Sequence, residues 1–131
     1  SVPEVIAQRG RTILMEYIGD GNGPAPMLAE VTLGPEEAPR AFRTVVGDIE
    51  GLLRADIIHG DLSPFNVLFW RGETVIIDMP QAVDARLNRH ACELLARDVK
   101  NVCGYFRQAG IDADPEPIAA RMWELYLRAR L

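Results

Sequence analysis

The sequence predicts an α+β domain that is mainly helical and carries one small β-hairpin. Three observations predict it. Apolar residues recur at helical spacing in three separate stretches. Two short apolar runs, NVLFW and TVIID, flank the turn RGE and read as a hairpin. A polar loop, HGDLSPFN, stands between the first helical stretch and that hairpin. The 131 residues suit one domain with a real core, and 48% apolar with 25% charged residues is an ordinary globular balance.

Along the chain, TILMEYIG (12–19) reads as a short apolar strand closed by Gly19. The following stretch to Pro39 is rich in Gly and Pro and reads as loop. A helix is expected from about Pro35, with Glu36 and Glu37 at the positive end of its dipole. Its buried face would hold Ala38, Phe42, Val45, Ile49, Leu52 and Leu53. Gly47 and Gly51 weaken that helix, which predicts a close neighbour or local strain there. After the hairpin, a second helix from about Asn88 carries Ala91, Leu94, Leu95, Val99, Val102, Cys103 and Phe106 on one face, with Gly110 as its stop. A third opens at DPEP, capped by Asp114, and is expected to bury Ile118, Met122, Leu125 and Tyr126.

Composition excludes several classes of function. The net charge of −5, without a basic stripe, argues against direct nucleic-acid binding by this segment. No apolar run approaches the ~20 residues of a membrane span, and SVPEVIAQRGRT has no signal-peptide core. Cys92 and Cys103 lie too far apart on one helix to bridge and read as core residues of a cytoplasmic protein. Two Cys and two distant His lack the spacing of a soft-metal site.

The loop and hairpin suit phosphoryl transfer. That chemistry needs a carboxylate to orient the attacking group and hard oxygen ligands for Mg²⁺. Asp61 and Asn66 stand five apart, the interval between base and metal ligand in a kinase catalytic loop. Asp78 ends the strand TVIID, and an antiparallel hairpin returns it to the end where Asn66 begins. Singly, each could be a cap or turn residue; together they point to a site. His59 is expected to brace the loop backbone. Asp98 falls on an apolar helix face, where a charge is costly unless paired, and is expected to accept hydrogen bonds from the backbone near His59 and Gly60. Arg97 is expected at the surface.

HGDLSPFNVLF, followed by VIIDMPQAVD and RDVKNVCGYFRQAGI, resembles the C-terminal lobe of the RIO family of atypical serine/threonine protein kinases. ILMEYIGDGNGPAP resembles that family's hinge, and IDMPQAV is the sharpest discriminator, since ordinary protein kinases have Asp-Phe-Gly there. The resemblance implies a protein-kinase-like C-terminal lobe at 21–131, with 1–20 as the hinge strand region. It implies ATP and Mg²⁺ as cofactors, Asp61 as catalytic aspartate, and Asn66 and Asp78 as metal ligands. Glu16 and Ile18 would offer backbone groups to adenine, with Met15 at the back of the pocket. It also implies a protein substrate.

No glycine-rich loop or lysine precedes the hinge, and Lys100 is the only lysine. The chain, which starts at Ser1, is therefore expected to be a fragment without its N-terminal lobe, weakly active alone and prone to self-association. Two alternatives are a small-molecule phosphotransferase of the aminoglycoside type and a non-catalytic, pseudokinase-like binding lobe. The first lacks its usual Trp or Phe and GDP segment after Asp78. The second sits poorly with Asp61, Asn66 and Asp78 all being present.

Overall fold

The computed structural model describes residues 5–9, 12–15, 19–20, 23–79 and 82–130, with side chains from residue 25 to 129. Strands β1 (Val5–Arg9) and β2 (Thr12–Met15) form an antiparallel pair, with an irregular register between Val5 and Ala7. A second short pair joins β3 (Gly19–Asp20) to β4 (Gly23–Pro24), inside the stretch expected to be loop. A single 3₁₀ turn, Leu28–Glu30, then buries Leu28.

Helix α1 (Glu37–Arg54) buries Ala38, Ala41, Val45, Ile49 and Leu53, with Phe42 and Leu52 half-buried at the margin. Gly34 N–H donates to Glu37 Oε1 at its start. Gly47 and Gly51 correct the sequence expectation: both are exposed, and a β-carbon at either would meet nothing within 4 Å. They are weak helix positions on a solvated face, not close approaches.

Asp56, with φ 65°, ends the turn after α1 and starts β5 (Ile57–Ile58). This strand pairs with β8 (Val83–Asp84), a contact across the chain that local pattern does not announce. Between them, β6 (Val67–Trp70) and β7 (Glu73–Ile76) form the expected hairpin, with Val67 opposite Ile76 and Trp70 opposite Glu73. Its two-residue turn has positive φ at both Arg71 (51°) and Gly72 (80°), as a type I′ turn requires.

Helix α2 (Ala91–Gln108) buries Ala91, Leu95, Asp98, Val99, Val102, Cys103 and Phe106. It stops at Gly110, φ 92°, where Gly110 N–H bonds the Arg107 carbonyl and Ile111 N–H the Phe106 carbonyl. This paired closure is a Schellman motif. Helix α3 (Pro115–Arg130) is capped by Asp114, whose Oδ1 accepts from Glu116 N–H at 3.3 Å.

One core unites these elements. Val45 and Ile49 of α1, Leu95, Val99 and Phe106 of α2, Met122 and Tyr126 of α3, and Val67 and Ile76 of the hairpin belong to one buried cluster. Phe106 meets Phe42 edge-to-face at 5.3 Å. Two sequence expectations fail at the margin. Leu125 is 47% exposed while Ala119 is buried in the cluster, and Cys92 is exposed while Cys103 is buried. Burial pushes the Cys103 thiol above its ordinary pKa.

Candidate active site

The site is built where β5 passes into the hairpin. Ile58 and His59 are buried, and Gly60 turns the chain with φ 86°. The His59 ring joins the two ends of the site. Its Nε2 is 2.7 Å from the Ile77 carbonyl, and its Nδ1 accepts the Asp61 N–H at 3.2 Å. That pattern assigns the proton to Nε2. His59 thus braces the loop, as expected from sequence.

Asp98, 1% exposed, does the same from α2: Oδ2 accepts Gly60 N–H at 2.8 Å and Oδ1 accepts Leu62 N–H at 3.0 Å. Burial raises its pKa above the ordinary carboxylate value; the Leu62 and Gly60 amides, His59 and Arg97 pull the other way. Asn101 adds a bond from Nδ2 to the Leu62 carbonyl at 3.1 Å. Arg97 is exposed, as expected, but it has a contact the sequence did not announce: the guanidinium reaches back and donates to the Gly60 carbonyl.

Held this way, Asp61 faces solvent, and its carboxylate makes no hydrogen bond among the described residues. Two residues on, Ser63 closes the loop onto Asn66. The Asn66 N–H donates to the Ser63 carbonyl at 3.0 Å, and Ser63 Oγ donates to Asn66 Oδ1 at 2.9 Å. Phe65 N–H donates to the same Oγ at 3.2 Å. Phe65 itself is 62% exposed beside the site.

The hairpin register then fixes the partner of Asn66. Ile77 N–H donates to the Asn66 carbonyl at 2.8 Å, which extends the Val67–Ile76 pairing by one rung. Asp78 is the next residue, and its φ of 62° turns its side chain out of the strand's alternation. A non-glycine residue there is uncommon, although Asp tolerates it better than most. Asn66 Nδ2 consequently donates to Asp78 Oδ2 at 3.2 Å. The structure therefore brings Asn66 and Asp78 together and puts Asp61 in the same loop. Met15 ends β2, opposite Val5. Glu16 and Ile18 lie outside the described residues.

An amide oxygen and a carboxylate at an exposed edge are hard donors, and a pair of them fits Mg²⁺ that takes its remaining ligands from phosphates and water. Among the described residues no cluster of three or more His, Cys, Asp or Glu offers a complete protein cage. Grooves run between α2 and α3, beside β5 and β8, and between α1 and α3, and none of Asp61, Asn66 and Asp78 lines them. Sequence reasoning passed over Ser63, Asn101 and the reach of Arg97. The signal for Asn101 was its position one turn after Arg97, on the helix edge that Asp98 already turned to the loop.

A helical lobe with this loop, and a hairpin that ends in a paired Asn and Asp, is a protein-kinase-like C-terminal lobe. Comparison with known proteins makes the assignment particular. The RIO domain family model matches residues 1–118, and the chain belongs to that family. It is similar to the RIO-type serine/threonine-protein kinase Rio1 of Haloferax volcanii, 38% identical over 117 residues, covering 89% of this chain and 39% of that protein. Against the Thermoplasma acidophilum Rio1 it is 36% identical over 116 residues, covering 88% of this chain and 59% of the relative. The crystal structure of a Rio2 kinase–ADP/Mg²⁺–phosphoaspartate complex from Chaetomium thermophilum matches with a TM-score of 0.72 and 26% identity, over 92% of this chain and 38% of that one. The chain thus spans only part of the length of these relatives.

Proposed function

We propose that this chain is the catalytic C-terminal lobe of an ATP- and Mg²⁺-dependent RIO-type serine/threonine protein kinase or ATPase. The observation that carries the reading is the Asn66–Asp78 pair, 3.2 Å apart, with an exposed Asp61 in the loop that leads to Asn66, a loop fastened by Asp98. In this reading Asp61 orients the attacking hydroxyl or water and accepts its proton. Asn66 Oδ1, which accepts from Ser63 Oγ, and the Asp78 carboxylate, which accepts from Asn66 Nδ2, would hold the metal. Bound Mg²⁺ supplies charge neutralisation at the phosphate oxygens. His59 ties the Asp61 amide to Ile77, so the base and the metal pair keep their spacing.

Residues 1–20 act as the hinge strand region and 21–131 as the lobe, with Met15, Glu16 and Ile18 at the adenine. A protein substrate is the expected acceptor, and the setting is the cytoplasm, where ATP and Mg²⁺ are supplied. Cover for the phosphates, and a cation on them, come from an N-terminal lobe. Among the described residues no helix is long and apolar enough to cross a membrane.

The test is nucleotide turnover by the complete protein. γ-Phosphate transfer or release should require Mg²⁺ and stop on chelation. Turnover unaffected by chelation would contradict the role given to Asn66 and Asp78.

A further inference from the structure

The backbone around Asp61 is held more completely than a surface loop needs. The peptide group between Gly60 and Asp61 is fastened at both ends, its carbonyl by Arg97 and its N–H by His59 Nδ1. The next N–H, on Leu62, and the previous one, on Gly60, both go to Asp98. The Leu62 carbonyl goes to Asn101 at 3.1 Å. Three residues of one edge of α2 therefore grip the two neighbours of the proposed base, while the carboxylate between them makes no hydrogen bond among the described residues.

Buried N–H groups need partners, so Asp98 is explained by folding alone. The two carbonyl contacts are less readily explained that way. Arg97 is an exposed side chain with much rotamer freedom to lose, and a single bond to a half-buried carbonyl adds little to net stability. What they do fix is direction. The Cα–Cβ bond of Asp61 is set by the two peptide planes that flank it, and Arg97 acts on one directly. Asn101 acts on the following plane, which limits rotation about Leu62.

We propose that Arg97 and Asn101 are positioning residues for the Asp61 carboxylate: their side chains clamp the carbonyls of Gly60 and Leu62, and so aim the base at the acceptor. This deepens the phosphotransfer reading and rests on the role it gives Asp61.

The experiment compares Arg97→Met and Asn101→Leu, which keep side-chain bulk without the donor, with Arg97→Lys, which restores a cationic donor. In the complete protein, both donor-less variants should lower kcat about tenfold or more, because small misplacements of a reacting group can cost about 10²-fold. KM for ATP should stay within about twofold and the melting temperature nearly constant, as expected for an effect confined to positioning. Arg97→Lys should recover most of the loss. In an Asp61→Asn background, neither substitution should lower the residual rate further. An unchanged kcat, or an equal fall in that background, would overturn the proposal.

Amide exchange of residues 59–62 separates this idea from the functional reading. If the complete protein turns over no γ-phosphate, the phosphotransfer reading fails. Faster exchange in Arg97→Met and Asn101→Leu then still shows that the two side chains clamp the loop, and unchanged exchange overturns the clamp as well.

Discussion

Asn66 Nδ2 donates to Asp78 Oδ2 across 3.2 Å, although the two residues are twelve apart in sequence. The hairpin register creates the pair, and the left-handed backbone at Asp78 turns its carboxylate toward it. A carboxylate contributes more to a hard divalent cation than an amide oxygen does. Asp78→Asn should therefore weaken Mg²⁺-dependent ATP binding more than Asn66→Ala, measured by calorimetry on the complete protein. Equal losses, or a reversed order, would count against the assigned ligand roles.

Asp98 holds the backbone on either side of Asp61. Asp98→Ala removes the acceptor for both the Gly60 and Leu62 amides. An orphaned buried donor costs about 1–3 kcal/mol, so the melting temperature of the chain should fall clearly. An unchanged melting temperature would mean that water replaces the carboxylate at no cost.

The pH dependence of that residue has a definite sign. Burial raises the folded-state pKa of Asp98 above its unfolded value, so the folded chain binds this proton more tightly. Its contribution to stability is fullest below the unfolded pKa and declines as pH rises through the folded one. Asp98→Asn has no such proton. The stability difference, wild type minus Asp98→Asn, should therefore shrink between the ordinary carboxylate range and neutrality in urea titrations. A difference that grows with pH would show that the two amide bonds outweigh burial.

Much of this was legible in the sequence, for identifiable reasons. The hairpin was, because the polar turn RGE separates two short apolar runs. The two later helices were, because Asp114 and Gly110 are local signals that act on their own neighbours. Asp98 stood out as a charge on an apolar face. What escaped depends on distance along the chain. The β5–β8 pair joins segments 25 or more residues apart and is only two residues long. Arg97 and Asn101 meet their carbonyls through tertiary packing, and nothing in their spacing names the acceptor. Gly47 and Gly51 misled because a glycine in a helix signals close packing in some places and an unselected solvent face in others.

Ser63 offers a milder test of the loop. Its Oγ serves both Asn66 Oδ1 and Phe65 N–H. Ser63→Ala should cost about 0.5–1.5 kcal/mol of stability per lost bond at most, and should lower Mg²⁺-nucleotide affinity by freeing the Asn66 amide to rotate. Affinity equal to wild type would show that the amide is held by the backbone alone.

The 131-residue chain by itself should bind ATP weakly and transfer phosphate negligibly. Positioning and charge at the phosphates dominate this chemistry, and the chain's one lysine, Lys100, lies on α2. The β1–β2 pair is a two-stranded sheet among the described residues, and an open sheet edge invites pairing with another copy. Light scattering should accordingly find self-association that deletion of residues 1–20 reduces. A monodisperse monomer at high concentration would contradict this.

The most direct measurement of the central claim is γ-phosphate turnover by Asp61→Ala in the complete protein, with Mg²⁺-ATP binding measured in parallel. Binding should persist, because Asn66 and Asp78 remain, while turnover should fall to background because nothing orients the attacking group. Turnover that survives without Asp61 would contradict its role as the base and would move that role to another residue of the loop.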